Sequence, residues 1–418
     1  MTIDIINFLS ATDLPERSLR PQAVENAQKS FEALLEGDLP ERYAVAAFVA
    51  GLHRSSAFEF YSDLLADENP ELVPVVAHAV EVALAVMGQG PAPAGVSAWV
   101  STQGLAGLSA RLVAAFDYAH DMVFHPVDAT AEGLAPLAQV FSASEVVTLA
   151  QLVAFLTFQL RVVQGLSVVG AHYSQDAGSQ AQRYEPVPSG ASDAAANKAV
   201  ASSAKRQASG LTGGVFDLMT YPDIVPPTRF VHHSLGWKPW VPAPSKDQLS
   251  PEQVQAMIRP ERVGSAYFRL LSLNPAALEA RTLTDLDIFY NVSGGLGRAE
   301  RELAATVVSR MNGCIFCASV HAGRTLEEST GRLGDVERLL DQGAEADLGS
   351  ALWNAIGEAA RALTQTPLAF GQQHVQNLRA VGLDCADIID VINSSAFFNW
   401  ANRLMLSLGE PEVPIRFR

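Results

Sequence analysis

Two of the chain's three cysteines stand three positions apart in Asn312-Gly313-Cys314-Ile315-Phe316-Cys317-Ala318-Ser319-Val320-His321. Glu302 lies twelve residues before Cys314, and His321 lies four after Cys317. A paired thiol can cycle to a disulfide, and a carboxylate and an imidazole within reach can move the protons that the cycle needs. With His321 one helical turn on, Cys317 as a thiolate can attack the O–O bond of a hydroperoxide and become a sulfenic acid. Cys314 then condenses with it to a disulfide and releases water. In this scheme Glu302 and His321 form the proton relay.

Such a site needs two helices joined by a tight turn. The spacing predicts a helix from about Arg298 to Met311, with Asn312-Gly313 as its stop. A second helix then begins near Cys314, and both thiols fall in its first turn, where the helix dipole favours thiolate over thiol. Cys314 and Cys317 share a face, as do Cys317 and His321. Neighbours at this spacing have Cβ atoms ~5–6 Å apart, beyond the ~3.5–4.5 Å of a disulfide, so Cys314 must sit at the irregular start of the helix. Glu302 has to lean across from the preceding helix. Three other readings compete. Zinc needs four ligands, and only Glu302 is at hand to join Cys314, Cys317 and His321, with no second CxxC. An inert pair of core cysteines is a second. A thioredoxin-like site is a third, but it wants a strand before the CxxC, and the context is helical.

Composition sets the frame. At 418 residues two or three domains are expected. The apolar share is 48% and the charged share 18%, below a typical ~25%, which favours large buried or subunit interfaces. A net charge of −16 without a basic run disfavours nucleic acid and anionic membranes as partners. The start, Met-Thr-Ile-Asp-Ile-Ile-Asn, lacks a signal-peptide pattern. Val146 to Val163 is apolar but interrupted by Thr148, Gln151, Thr157, Gln159 and Arg161, so it reads as a buried helix rather than a membrane span. Three cysteines make no disulfide framework. A cytoplasmic location is expected. No flavin, haem or nicotinamide motif stands out, so no cofactor is expected and reducing power must arrive from a partner thiol.

Helical spacing runs through most of the chain, as in Leu303, Val307 and Met311, or Ile388, Ile392, Ala396, Trp400 and Leu404. The expected fold class is all-α. From about Ser174 to Gly214 the chain turns rich in Ser, Ala, Gly and Gln and reads as a linker, with a short Ala-rich helix near Asp193 to Lys205. Trp237-Lys238-Pro239-Trp240 follows, extended and packed across a helical surface. The halves resemble each other weakly. A shift of 259 residues aligns Tyr43 with Glu302, Ser55 with Cys314, Phe58 with Cys317 and Ser62 with His321. Ala154 to Phe158 with Arg161 parallels Ala396 to Trp400 with Arg403 at a different offset. On this reading residues 1–173 are a copy that has the scaffold but none of the chemistry, 174–227 a flexible linker, and 228–418 the domain with the CxxC site.

Glu302, Cys314, Cys317 and His321 match, residue by residue, the Glu-x11-Cys-x2-Cys-x3-His pattern of the redox branch of the alkylhydroperoxidase D-like and carboxymuconolactone decarboxylase superfamily, which the chain resembles from about Trp237 to Pro411. Phe397, Phe398, Asn399, Trp400, Asn402 and Arg403 resemble the last helix of peroxidase-related members. The first half is fainter, similar to cysteine-free members from about Leu39 to Leu166. The resemblance implies an all-α fold, oligomeric assembly and reduction of hydroperoxides, with Cys317 peroxidatic, Cys314 resolving, Glu302 and His321 relaying protons, and a dihydrolipoyl or thioredoxin-like protein as electron donor. One departure is Phe316, where the best-known members carry a second His; it removes a proton carrier and dries the pocket. A lactone decarboxylase or isomerase without redox cycling is the alternative enzyme, and an assembly protein with vestigial thiols the alternative from another class.

Other residues carry less. Cys385 stands alone before an amphipathic helix and reads as structural. His53 aligns with Asn312 and reads as a helix-end or surface histidine. His120 and His125 are five apart, a poor metal spacing. His232-His233 suits packing or surface. Ser293-Gly294-Gly295-Leu296-Gly297 lacks a phosphate loop's strand and Lys-Ser/Thr, and reads as the turn before the Glu302 helix. Asn402 and Arg403 either line the pocket or bridge subunits.

Overall fold

The computed structural model describes residues 4–85, 102–178 and 216–418. The expected helix near Asp193 to Lys205 and most of the expected linker lie outside these residues. The fold is all-α apart from one two-stranded sheet. The first half holds α1 (Ile5–Ser10), α2 (Pro21–Leu35), α3 (Leu39–Leu52), α4 (Ala57–Glu68), α5 (Leu72–Ala85), α6 (Ala110–Phe124), α7 (Ala135–Val140) and α8 (Ala143–Gly178). The second half holds α9 (Pro251–Ala256), α10 (Ala266–Leu271), α11 (Pro275–Tyr290), α12 (Arg298–Met311), α13 (Ile315–Glu328), α14 (Leu333–Gln342), α15 (Ala351–Thr364), α16 (Gln372–Ala380) and α17 (Cys385–Ser407).

One apolar core runs through both halves. Its axis is the pair α8 and α17, joined by Phe155 edge-on to Trp400 at 5.3 Å and Phe158 edge-on to Phe397 at 6.4 Å. Helix α8 is long and apolar enough to cross a membrane, yet its most apolar window is wholly buried in the protein. This agrees with the buried-helix reading of Val146 to Val163. The helix runs on to Gly178, into the start of the stretch read as linker. The Trp passage is extended as expected. Gly236–Pro239 (β1) pairs antiparallel with Gly409–Glu412 (β2), and the indole of Trp237 donates to the Met405 carbonyl at 3.0 Å.

Helices α3 and α12 are both 14 residues long and sit at the same shift of 259. Each is followed after a short turn by the helix it packs against most closely, α4 or α13. Across the molecule α2 packs on α11, and α8 on α17. Two buried arginines reciprocate. Arg161 of α8 donates to the Thr364 carbonyl at the end of α15 at 3.0 Å, and Arg403 of α17 donates to the Val123 carbonyl near the end of α6 at 3.1 Å. Each also binds the carbonyl four residues back in its own helix, Thr157 or Asn399. Arg403 therefore bridges the two halves of one chain, and neither Asn402 nor Arg403 lines the pocket described below.

Candidate active site

Helix α12 starts where a charged node holds the chain. Arg20, on the first half, pairs with Asp390 of α17 at 2.6 Å and donates to the carbonyls of Ser293 and Gly294. Asp390 in turn accepts from the Leu296 backbone N–H at 3.0 Å. Gly295 sits at φ +70°, and a Cβ there would lie 2.3 Å from an Asp390 oxygen. The Gly-rich segment is thus the turn before the Glu302 helix, and its glycine is demanded by a close approach. At the far end Asn312 caps the helix and Gly313 turns the chain at φ +75°. Helix α13 then runs back antiparallel, and Arg298 bridges the pair by bonding Glu328 at 2.7 Å.

This hairpin brings the four residues together. Glu302 is fully buried, and its carboxylate meets His321 Nδ1 at 2.5 Å. Arg298 adds a longer contact to the other carboxylate oxygen at 3.4 Å. Burial pushes the Glu302 carboxyl up, but His321, Arg324 and Arg298 more than offset it and hold it below its usual range. With Nδ1 committed to Glu302, the imidazole turns its Nε2 edge elsewhere, and the residue lines a pocket together with Cys317. Phe398 stands edge-on to the His321 ring at 4.0 Å, and Phe289 lies at 5.9 Å. They place the Glu302–His321 pair in a low-dielectric setting.

The two cysteines occupy different environments. Cys317 is in the first turn of α13 and faces the pocket. Cys314 is the cap residue, outside the helix proper at φ −80°, ψ 86°, as the disulfide spacing requires. It lies beneath Cys317, near a polar cluster in which Asn312 donates to Asn399 and Asn402, and Asn402 to the Ser309 hydroxyl at 3.0 Å. Both thiols are free and buried. The expectation that the helix start favours thiolate at both positions fails for Cys314. Burial first, then the bond and charge of Cys317, push its thiol well above the ordinary range, and the Cys317 backbone and Asn402 do not offset this.

The pocket above Cys317 has a volume of about 330 Å³. Its inner wall is aromatic, with Tyr267, Phe316, Phe397 and Phe398; Arg259, Arg262, Arg281 and Arg324 supply four guanidinium groups, against the carboxylates of Glu261 and Asp285. The arginines were missed in the sequence. Arg281 alone carried a signal, since it falls on the apolar stripe of α11 with Ala277, Leu278 and Ile288, where a charge is out of place.

The positions aligned with the site in the first half hold no comparable group. Tyr43 is buried where Glu302 stands, and its hydroxyl has no hydrogen-bond partner among the described residues. His53 ends α3 as expected, but it is buried rather than on the surface, and Nε2 lies 3.1 Å from Arg161. Burial, then the charge of Arg161, keep its imidazole well below the usual range and hence neutral. Cys385 is buried at the start of α17, and burial pushes its thiol up to about 12. His120 is buried beside Phe124 and His125 is half-exposed. Among the described residues no group of three or more His, Cys, Asp or Glu is arranged to hold a metal ion.

No curated protein and no solved structure matches the chain. Residues 275–362 match the model of the carboxymuconolactone decarboxylase family. That segment contains Glu302, Cys314, Cys317 and His321, and the match supports a relationship of this part of the chain to the alkylhydroperoxidase D-like superfamily.

Proposed function

We propose that the protein is a thiol-dependent peroxidase that cycles through a Cys314–Cys317 disulfide. The observation that carries this reading is the buried Glu302–His321 pair beside a pocket-facing Cys317, with a second thiol directly behind it. His321 Nε2 takes the Cys317 proton. The thiolate attacks the terminal oxygen of R–O–O–H, the O–O bond breaks, and the Cys317 sulfenic acid forms. The same imidazole returns its proton to the leaving alkoxide, which departs as R–OH. The Cys314 thiol then attacks the sulfenic sulfur, an S–S bond forms, and water leaves with the Cys314 proton. A donor dithiol of the dihydrolipoyl or thioredoxin type returns both thiols to the reduced state and leaves as its own disulfide. The high protonation range of Cys314 suits a thiol that stays idle until a sulfenic acid is in contact with it.

The first half, in this reading, is a silent tandem copy of the catalytic half, supported by the equal helices and the reciprocal arginines. Such a fusion stands where two subunits of a homodimer would otherwise meet, and the fused chain is expected to assemble further into a cytoplasmic homo-oligomer.

Mass spectrometry of the reduced protein after one equivalent of an organic hydroperoxide tests the chemistry. The expected result is loss of two hydrogens mapped to a Cys314–Cys317 link, absent in C317S, with C314S instead accumulating a sulfenic acid that dimedone traps. Turnover of C314S at the parental rate with an external thiol would overturn the assignment of Cys314. Unselective oxidation shared with Cys385 would overturn the peroxidase itself and favour the lactone enzyme or the assembly protein.

A further inference from the structure

We propose that the pocket above Cys317 selects a substrate carrying a carboxylate on an apolar body, and that Arg281 is the residue that binds the carboxylate. The inference rests on the peroxidase reading for the identity of the reacting group, so the substrate class is a small hydroperoxy acid.

Arg281 is 4% exposed, yet it lines the pocket together with Cys317. Its guanidinium is held among rings, with Cζ 5.0 Å from the Phe397 centroid, 5.7 Å from Trp400 and 5.8 Å from Tyr267. These faces attract a cation but accept no directed hydrogen bond. Arg281 forms no hydrogen bond or ion pair with any described residue, and its Nε is buried without a partner. The Tyr267 hydroxyl, in the same pocket, is also buried without one. A buried guanidinium without a counter-ion is costly, and proteins normally satisfy it. Asp285, one turn on in the same helix, is engaged with Arg262 at 3.5 Å.

Two unmet donors beside an aromatic wall define the missing partner. A planar carboxylate matches the guanidinium fork and can take the phenol O–H as well. The aromatic lining suits an apolar body, and a volume of about 330 Å³ suits a small molecule.

Unreactive ligands separate this inference from the peroxidase reading. The affinities of 4-isopropylbenzoate and of neutral 4-isopropylbenzyl alcohol are measured by calorimetry for the parent, R281K and R281Q. The parent is expected to favour the carboxylate, and R281Q to lower the carboxylate-to-alcohol ratio by about 10- to 100-fold. R281K is expected to restore part of it, since an ammonium keeps the charge and loses the fork. A parent ratio near one, or a ratio unchanged in a folded R281Q, overturns the proposal; the parent measurement stands even where R281Q does not fold. A retained preference together with failure of the Cys314–Cys317 link would remove the peroxidase and leave the carboxylate pocket in place.

Discussion

Glu302 is the residue on which the relay turns, because it is buried, ionised and bonded to one imidazole nitrogen. Replacing it with Gln keeps the shape and removes the charge that orients and stabilises a protonated His321. E302Q is expected to lower kcat/KM for a hydroperoxide by about 100-fold. The same group also gives a signed dependence on pH. A carboxyl whose folded value lies below its unfolded one stabilises the fold above the unfolded value, about 4.3 for a glutamate, and loses that contribution as pH falls through the folded value. The urea midpoint of the parent should therefore exceed that of E302Q at pH 7, by the equivalent of about 2 kcal/mol, and the gap should narrow as pH falls below the unfolded value and through the folded one. A gap that does not narrow at all on acidification would show that the carboxylate charge is not what stabilises the pair.

At the scale of elements, the site depends on how α12 begins and how it turns into α13. The start is set by Arg20, Asp390 and the backbone of residues 293–296, which join the first half to the α12–α13 hairpin. G295A places a methyl group where an Asp390 oxygen sits, in a backbone conformation that alanine resists. The expected cost is about 1–3 kcal/mol, read as a shift in thermal or urea midpoint, together with slower alkylation of Cys317, since Glu302 lies little more than one turn from the disturbed end. A G295A protein with unaltered stability would show that the turn relaxes without strain.

Among the described residues the buried apolar side chains of both halves join in one core. α8 and α17 bury each other's aromatic faces, and Arg161 and Arg403 each satisfy carbonyls in the opposite half. Neither half then has a separate surface to fold around, so unfolding is expected to be a single cooperative step. Four of the five tryptophans, Trp237, Trp240, Trp353 and Trp400, lie in the second half, so fluorescence tracks that half while far-ultraviolet circular dichroism tracks helices in both. The two urea transitions should coincide. Separate midpoints would mean that the halves are independent domains.

Local signals carried much of this architecture. The helix Arg298 to Met311 was legible because Asn312-Gly313 stops it within the sequence itself, and the shared face of Cys317 and His321 follows from helical spacing alone. The shift of 259 that aligns the residue patterns also relates the bounds of α3 and α12. Tertiary structure decided the rest. Cys314 stays protonated because burial by distant helices outweighs a dipole that the sequence does show. Arg20 and Asp390 lie 370 residues apart, so no local pattern could pair them. Arg281 stands out in sequence only as a charge on an apolar stripe; what surrounds it was decided when α10 and α17 brought Tyr267, Phe397 and Trp400 around it. Backbone periodicity is written in neighbouring residues, whereas desolvation and the pairing of buried charges depend on which remote surfaces exclude water from a given atom.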